Sequence, residues 1–113
     1  MAQHVLLLDL ADDADLIAEY EAHHAAGRVW PEVTAAIRAS GIHAMRIYRL
    51  ATRLVMVMET SPDFSFEAKA ASDAADPVVT RWETLMQRSQ RALPGVAECH
   101  WQRAAQIFNL ADQ

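Results

Sequence analysis

One cysteine, Cys99, stands in 113 residues, so no disulfide can close within the chain. Cys99 reads as a small apolar filler rather than a nucleophile, and an unpaired thiol fits a reducing compartment, so a cytoplasmic protein is expected. Glycine is almost as scarce. Gly27, Gly41 and Gly95 are the three present, too few for a phosphate-cradling loop or a dinucleotide fingerprint, and no GxSxG elbow occurs. Hydride and phosphoryl transfer therefore drop away. Basic residues are outnumbered, 10 Lys and Arg against 15 Asp and Glu, and the net charge is −5 with no basic run. Nucleic acid and anionic membranes both exchange counterions for Lys and Arg, so neither partner is expected. No stretch approaches the ~20 apolar residues of a membrane span. The first ten residues, MAQHVLLLDL, lack a positive start and are broken by Asp9, so an export signal is not expected either. No CxxC or HExxH spacing is present, and the adjacent His23 and His24 diverge on a helix, so no metal is expected.

What is present is apolar and evenly spread: 52% hydrophobic and 22% charged, with no depleted stretch, as expected of one globular domain over residues 1–113. Residues 4–10 read as a strand that stops at Asp12, Asp13 and Asp15, acids that favour a helix start. Leu16, Tyr20 and His24 then recur at a spacing of four on one helical face, and the run ends before Gly27. Pro31, Val33 and Ile37 mark a short helix over 31–40, closed by Gly41. Residues 42–60 read as a hairpin turning at Ala51 and Thr52. Its second strand, LVMVM at 54–58, is apolar on both faces, which asks for a second copy of the chain over the side that the helices leave bare. Phe66, Ala70 and Ala74, then Asp76-Pro77 as a cap, then Val78, Trp82, Leu85 and Met86 place two helices, or one broken helix, in 64–90. After the Pro94-Gly95 loop, residues 101–109 close the sheet as a last strand. The order β, α, β, β, α, β with each helix split is that of a ferredoxin-like α+β fold, with an antiparallel sheet, helices on one face, and a dimeric barrel as its natural assembly.

The residues left to carry chemistry are Tyr20 and His24 on one face, Trp30 at the next helix start, and Trp82. A histidine near neutrality suits acid/base work, and a helix C-terminus favours its protonated form. A Tyr and a His four apart are also, and more commonly, packed core residues, and tryptophans are core anchors that sugars sometimes use as apolar platforms. Met45, Met56 and Met58 read as filler of a barrel or interface.

Taken together, Tyr20-Glu21-Ala22-His23-His24, Trp30-Pro31-Glu32, Gly41-Ile42, Ile47-Tyr48 and Arg81-Trp82 with Met86 resemble, in order and spacing, the L-rhamnose mutarotase family over essentially the whole chain. The resemblance implies a dimeric ferredoxin-like barrel in the cytoplasm, no cofactor, and interconversion of the α and β anomers of a free 6-deoxy-L-hexose. It implies that Tyr20 and His24 are catalytic and that Trp82 lies under the sugar, with Trp30 beside it. Departures bear on the substrate. Two extra residues separate His24 from Trp30, Met45 stands where a strand tyrosine is usual, and Glu83 replaces a second tryptophan, so Met45 and Glu83 also belong to the expected sugar-contacting set. MRIYRL, LVMVMET, PDF and DAADP are more similar to the L-fucose branch, which favours L-fucose over L-rhamnose. Two other readings share the architecture: a monooxygenase-like enzyme of the dimeric barrel class, and a small-molecule binding protein without catalysis.

Overall fold

A computed structural model describes residues 1–113. Strand β1 (Ala2–Leu10) is followed by helices α1 (Ala14–His23) and α2 (Pro31–Ala39), then by the hairpin β2 (Ile42–Leu50) and β3 (Arg53–Thr60). Helices α3 (Phe66–Ala75) and α4 (Pro77–Gln87) come next, with two short strands, β4 (Gln90–Arg91) and β5 (Gln102–Arg103), and a final 3₁₀ turn at Leu110–Asp112. The sheet order is β2-β3-β1-β4, with β5 also on β1, and every pairing is antiparallel. This is the ferredoxin-like α+β arrangement expected from the order of elements. No helix is long and apolar enough to cross a membrane.

Local chemistry places the joints. Asp13 caps α1 by accepting from the amides of Asp15 and Leu16 at 2.9 and 3.1 Å. Asp76 does the same for α4 through Val78 and Val79, with Pro77 in the first turn, so the 64–90 stretch is two helices. Gly41 follows α2 at φ 94°, and a Cβ there would sit 2.7 Å from Ser61 Oγ, so both the backbone angle and the close approach require glycine. The hairpin turns at Ala51-Thr52 as expected, with Leu50 opposite Arg53 and Ala51 in the left-handed region at φ 53°.

On the helix-covered face of the sheet, Leu6, Leu8 and Leu10 alternate with residues of the other face, and their partners Met56 and Leu54 are buried with them. Tyr20, Val33, Trp82 and Met86 descend from the helices onto Leu10 and Leu54. On α4 the buried residues are Val79, Trp82 and Met86, so Val79 rather than the expected Val78 leads the stripe.

The expected last strand over 101–109 is corrected. Only Gln102–Arg103 pairs, against Leu7 and Leu6, with one further bond from the Ala104 amide to the Val5 carbonyl. The same edge of β1 is already taken at Asp9 and Leu10 by β4, so the ladder is divided between two short pieces. Beyond it the chain leaves the sheet, and Ile107 and Phe108 are 96% and 64% exposed.

Candidate active site

The covered face is incompletely filled. Ala36, Ala44, Ala70 and Ala74 present side chains too short to bridge helices and sheet, and a cavity of about 800 Å³ remains between them. Helix α3 buries no residue completely; its expected Phe66, Ala70 and Ala74 stripe lines the cavity, with Phe66 also packed against the cluster of Leu6, Ile42, Met56 and Met58. Leu6, Met45, Ile47, Met56 and Met58 form the floor.

His24 stands one position past α1 and lines this cavity. Its Nδ1 lies 2.7 Å from the Tyr20 backbone carbonyl. A carbonyl oxygen only accepts, so Nδ1 carries the proton and Nε2 is left with a free lone pair in the neutral ring. Burial pushes the His24 pKa below the ordinary value of 6.5; the bond to the Tyr20 carbonyl opposes this and neighbouring His23 adds to it. The helix-end carbonyl does favour the protonated ring, as expected, but burial outweighs it.

Tyr20 is buried on α1, and its hydroxyl accepts a hydrogen bond from Gln90 Nε2 at 3.3 Å. Burial raises its pKa above 10.0 against the opposing Gln90 bond, so it remains a phenol with a proton to donate. The Tyr20 and His24 rings lie 4.4 Å apart at a 32° tilt. Trp82 meets His24 edge to face at 5.6 Å and Trp30 at 5.2 Å. Tyr20, His24, Trp82, Met45 and Glu83 all line the cavity, whereas Trp30 packs behind Trp82 and does not.

His23, expected to point away, is also drawn in. Its ring lies 6.2 Å from Trp82, its Nε2 is buried without a hydrogen bond, and Glu19 stands 3.7 Å away. A broad indole touches both histidines, but only His24 reaches the cavity wall. Gln90, Trp101 and the ion pair of Lys69 with Asp73, at 2.6 Å, also line the cavity. The sequence marks none of them as functional: the pair shows only the i, i+4 spacing of any helix surface, and Gln90 carries no pattern at all. No three His, Cys, Asp or Glu side chains converge so as to hold a metal ion.

The sequence profile of L-rhamnose mutarotases matches residues 3–110. The chain belongs to the L-rhamnose mutarotase family. It is accordingly an isomerase, a sugar mutarotase. It is 49% identical over 107 residues, 94% of this chain and 86% of the relative, to the L-fucose mutarotase of Xanthomonas campestris pv. campestris. A UPF0734 protein of Dictyostelium discoideum is 34% identical over 92 residues, 80% of this chain and 72% of its own. Among solved structures, the L-rhamnose mutarotase of Formosa agariphila superposes with a TM-score of 0.71 at 15% identity, covering 97% of this mutarotase and 99% of that chain. Tetracenomycin F2 cyclase from Streptomyces glaucescens, a type-II polyketide cyclase, gives 0.65 at 12% identity and 96% coverage of both chains. At such identities these two likenesses speak for the fold alone, and the cyclase carries no function over.

Proposed function

We propose that this mutarotase interconverts the anomers of a free 6-deoxy-L-hexose, L-fucose in preference to L-rhamnose, with His24 as the proton-transferring group. The observation that carries the reading is the tie of His24 Nδ1 to the Tyr20 carbonyl, which leaves Nε2 as a base in the cavity wall. The relative named an L-fucose mutarotase supports the choice of sugar.

In this reading Nε2 takes the proton of the anomeric hydroxyl, the electron pair of that O–H bond becomes the aldehyde C=O, and the bond from C1 to the ring oxygen breaks. The imidazolium returns the proton to the departing ring oxygen while the Tyr20 hydroxyl hydrogen-bonds to it. Rotation about C1–C2 and the same steps in reverse close the ring on the other face, and the enzyme is unchanged. Trp82 lies under the apolar face of the sugar, Trp30 holds Trp82, and Met45 and Glu83 contact the ring. Because ring opening already occurs in water, a positioned sugar and one base of suitable pKa suffice, with no covalent intermediate.

The assembly belongs to the same proposal. The sheet's bare face carries Val5 and Leu7 opposite Val57 and Val55, half-buried, and a second copy placed there completes a dimeric barrel.

Saturation-transfer NMR with catalytic amounts of protein tests the activity. Exchange between the anomers of L-fucose is expected to exceed that of L-rhamnose and other free hexoses. Rates no faster than in buffer for every sugar would refute the function; faster rhamnose exchange would reverse the order of substrates.

A further inference from the structure

The cavity has two unlike polar ends. At one, Tyr20 and His24 meet Trp82; at the other, Lys69 and Asp73 of α3 stand with Glu83 and His100, and all four line the same cavity. Helix α4 joins the two ends. Trp82 is turned to His24, while the next residue, Glu83, feels the charges of Asp73, Lys69 and His100. Between them the floor is methionine, leucine and isoleucine, which offers a sugar no strong hydrogen bond.

The Lys69–Asp73 pair is 19% and 15% exposed, so both charges have given up much of their water. Ion pairs of this kind contribute little net stability. The pairing uses one of three ammonium protons of Lys69, so donors remain for a ligand. Resting on the anomer exchange proposed above, we propose that Glu83, with Lys69, Asp73 and His100 around it, recognises the ring hydroxyls remote from the anomeric carbon and so determines which hexose is accepted.

The geometry of a pyranose fits this. C1 and C4 lie across the ring, so a sugar stacked on Trp82 with its anomeric carbon at His24 turns the C3 and C4 hydroxyls toward Glu83. A carboxylate accepts from two neighbouring hydroxyls at once, and the ammonium donates to an oxygen between them. Burial first, and Asp73 second, hold the Glu83 pKa above the ordinary carboxylate value, with Lys69 and His100 opposing. L-Fucose and 6-deoxy-L-glucose differ only at C4, where this wall would read the difference.

Glu83 lines the cavity but is itself exposed, so Glu83→Ala and Glu83→Gln should fold as the parent does. Anomer exchange is measured by NMR for L-fucose, 6-deoxy-L-glucose and 4-deoxy-L-fucose, alongside sugar titrations of tryptophan fluorescence, which read binding without turnover. Glu83→Ala should raise KM and Kd for L-fucose about tenfold and shrink its preference over the C4 epimer, while kcat at saturation stays within a few-fold. The 4-deoxy sugar, which lacks the hydroxyl being read, should be nearly indifferent to the change. Asp73→Asn should act in the same direction and more weakly. A kcat lowered about 10²-fold at unchanged KM would overturn the proposal in favour of a proton-transfer role, and unchanged affinity and preference would overturn it outright. If the parent protein binds sugars but exchanges none, the mutarotation reading falls alone and the fluorescence titrations still decide the role of the wall.

Discussion

The two faces of the sheet are built from the same kinds of residue and treated oppositely. On the covered face, large side chains such as Leu6, Met56 and Met58 stand beneath helices whose alanines do not reach them, and space is left over. On the bare face, Val5, Leu7, Val55 and Val57 form a close-set apolar strip bordered by the Arg53–Asp9 pair at 2.5 Å and the Arg46–Glu59 pair at 3.5 Å. All four side chains are half-buried within the single chain. Room for a ligand thus comes from packing withheld where packing was available, whereas the surface proposed above for association is a close-set strip of the opposite face.

That contrast can be broken from either side. The largest expected effect is on the covered face: His24→Ala should slow anomer exchange by about 10²-fold or more, the usual cost of losing a general acid or base, with circular dichroism and oligomeric state unchanged. His23→Ala should stay within a few-fold of the parent rate, because His23 does not line the cavity; the reverse ranking in the same NMR assay would refute the assignment. From the bare face, Val57→Asp places an unpaired carboxylate at the centre of the strip, a burial that costs several kcal/mol and should weaken the dimer by about 10²-fold. Light scattering at micromolar concentration checks this, and a parent protein found monomeric there would remove the dimer altogether.

Two finer effects sharpen the comparison. With the His24 pKa held below 6.5, the base is ready at neutral pH, and kcat/KM should fall only as the pH drops beneath that value. The same shift means that the unfolded chain binds a proton the native one refuses. Stability from this group is therefore complete above 6.5 and declines as the pH falls toward the folded-state value; a pH series of urea midpoints for the parent and His24→Ala reads the difference. The smallest effect belongs to the hairpin turn, where Ala51→Gly removes the strain of φ 53° and should stabilise by about 1 kcal/mol in thermal unfolding.

Much of this fold is written in local signals. Asp13 and Asp76 announce their helices because a short acidic side chain can satisfy the first amides, and Gly41 announces an end because only glycine accepts its angle at that distance from Ser61. The closing edge is not local. Residues 101–109 have the apolar content of a strand, but whether they pair depends on how much of β1 is already taken by Gln90–Arg91, a fact held elsewhere in the chain. The site divides in the same way. Tyr20, His24 and Trp82 share helical faces or a recognisable order, whereas Lys69, Asp73, Gln90 and Trp101 become neighbours of the site only when α3, α4 and the last segment fold over the sheet. The direction of the His24 shift was hidden too, since it depends on burial by residues distant in sequence.

The stretch from Ala92 to Trp101 is fastened to β1 by two-residue ladders at its ends, whereas β1 and β3 are joined through every pair from Ala2–Thr60 to Asp9–Arg53. Its ties to β1 are few, and Trp101 at its end packs against both core clusters, so the amides from Ala92 to His100 should exchange with solvent deuterium well before those of the central strands. This stretch also brings His100 and Trp101 to the cavity. Because Trp101 packs against both core clusters while it lines the cavity, the last pieces of core and of wall are supplied together, by a segment that reaches them only after the rest of the sheet is in place.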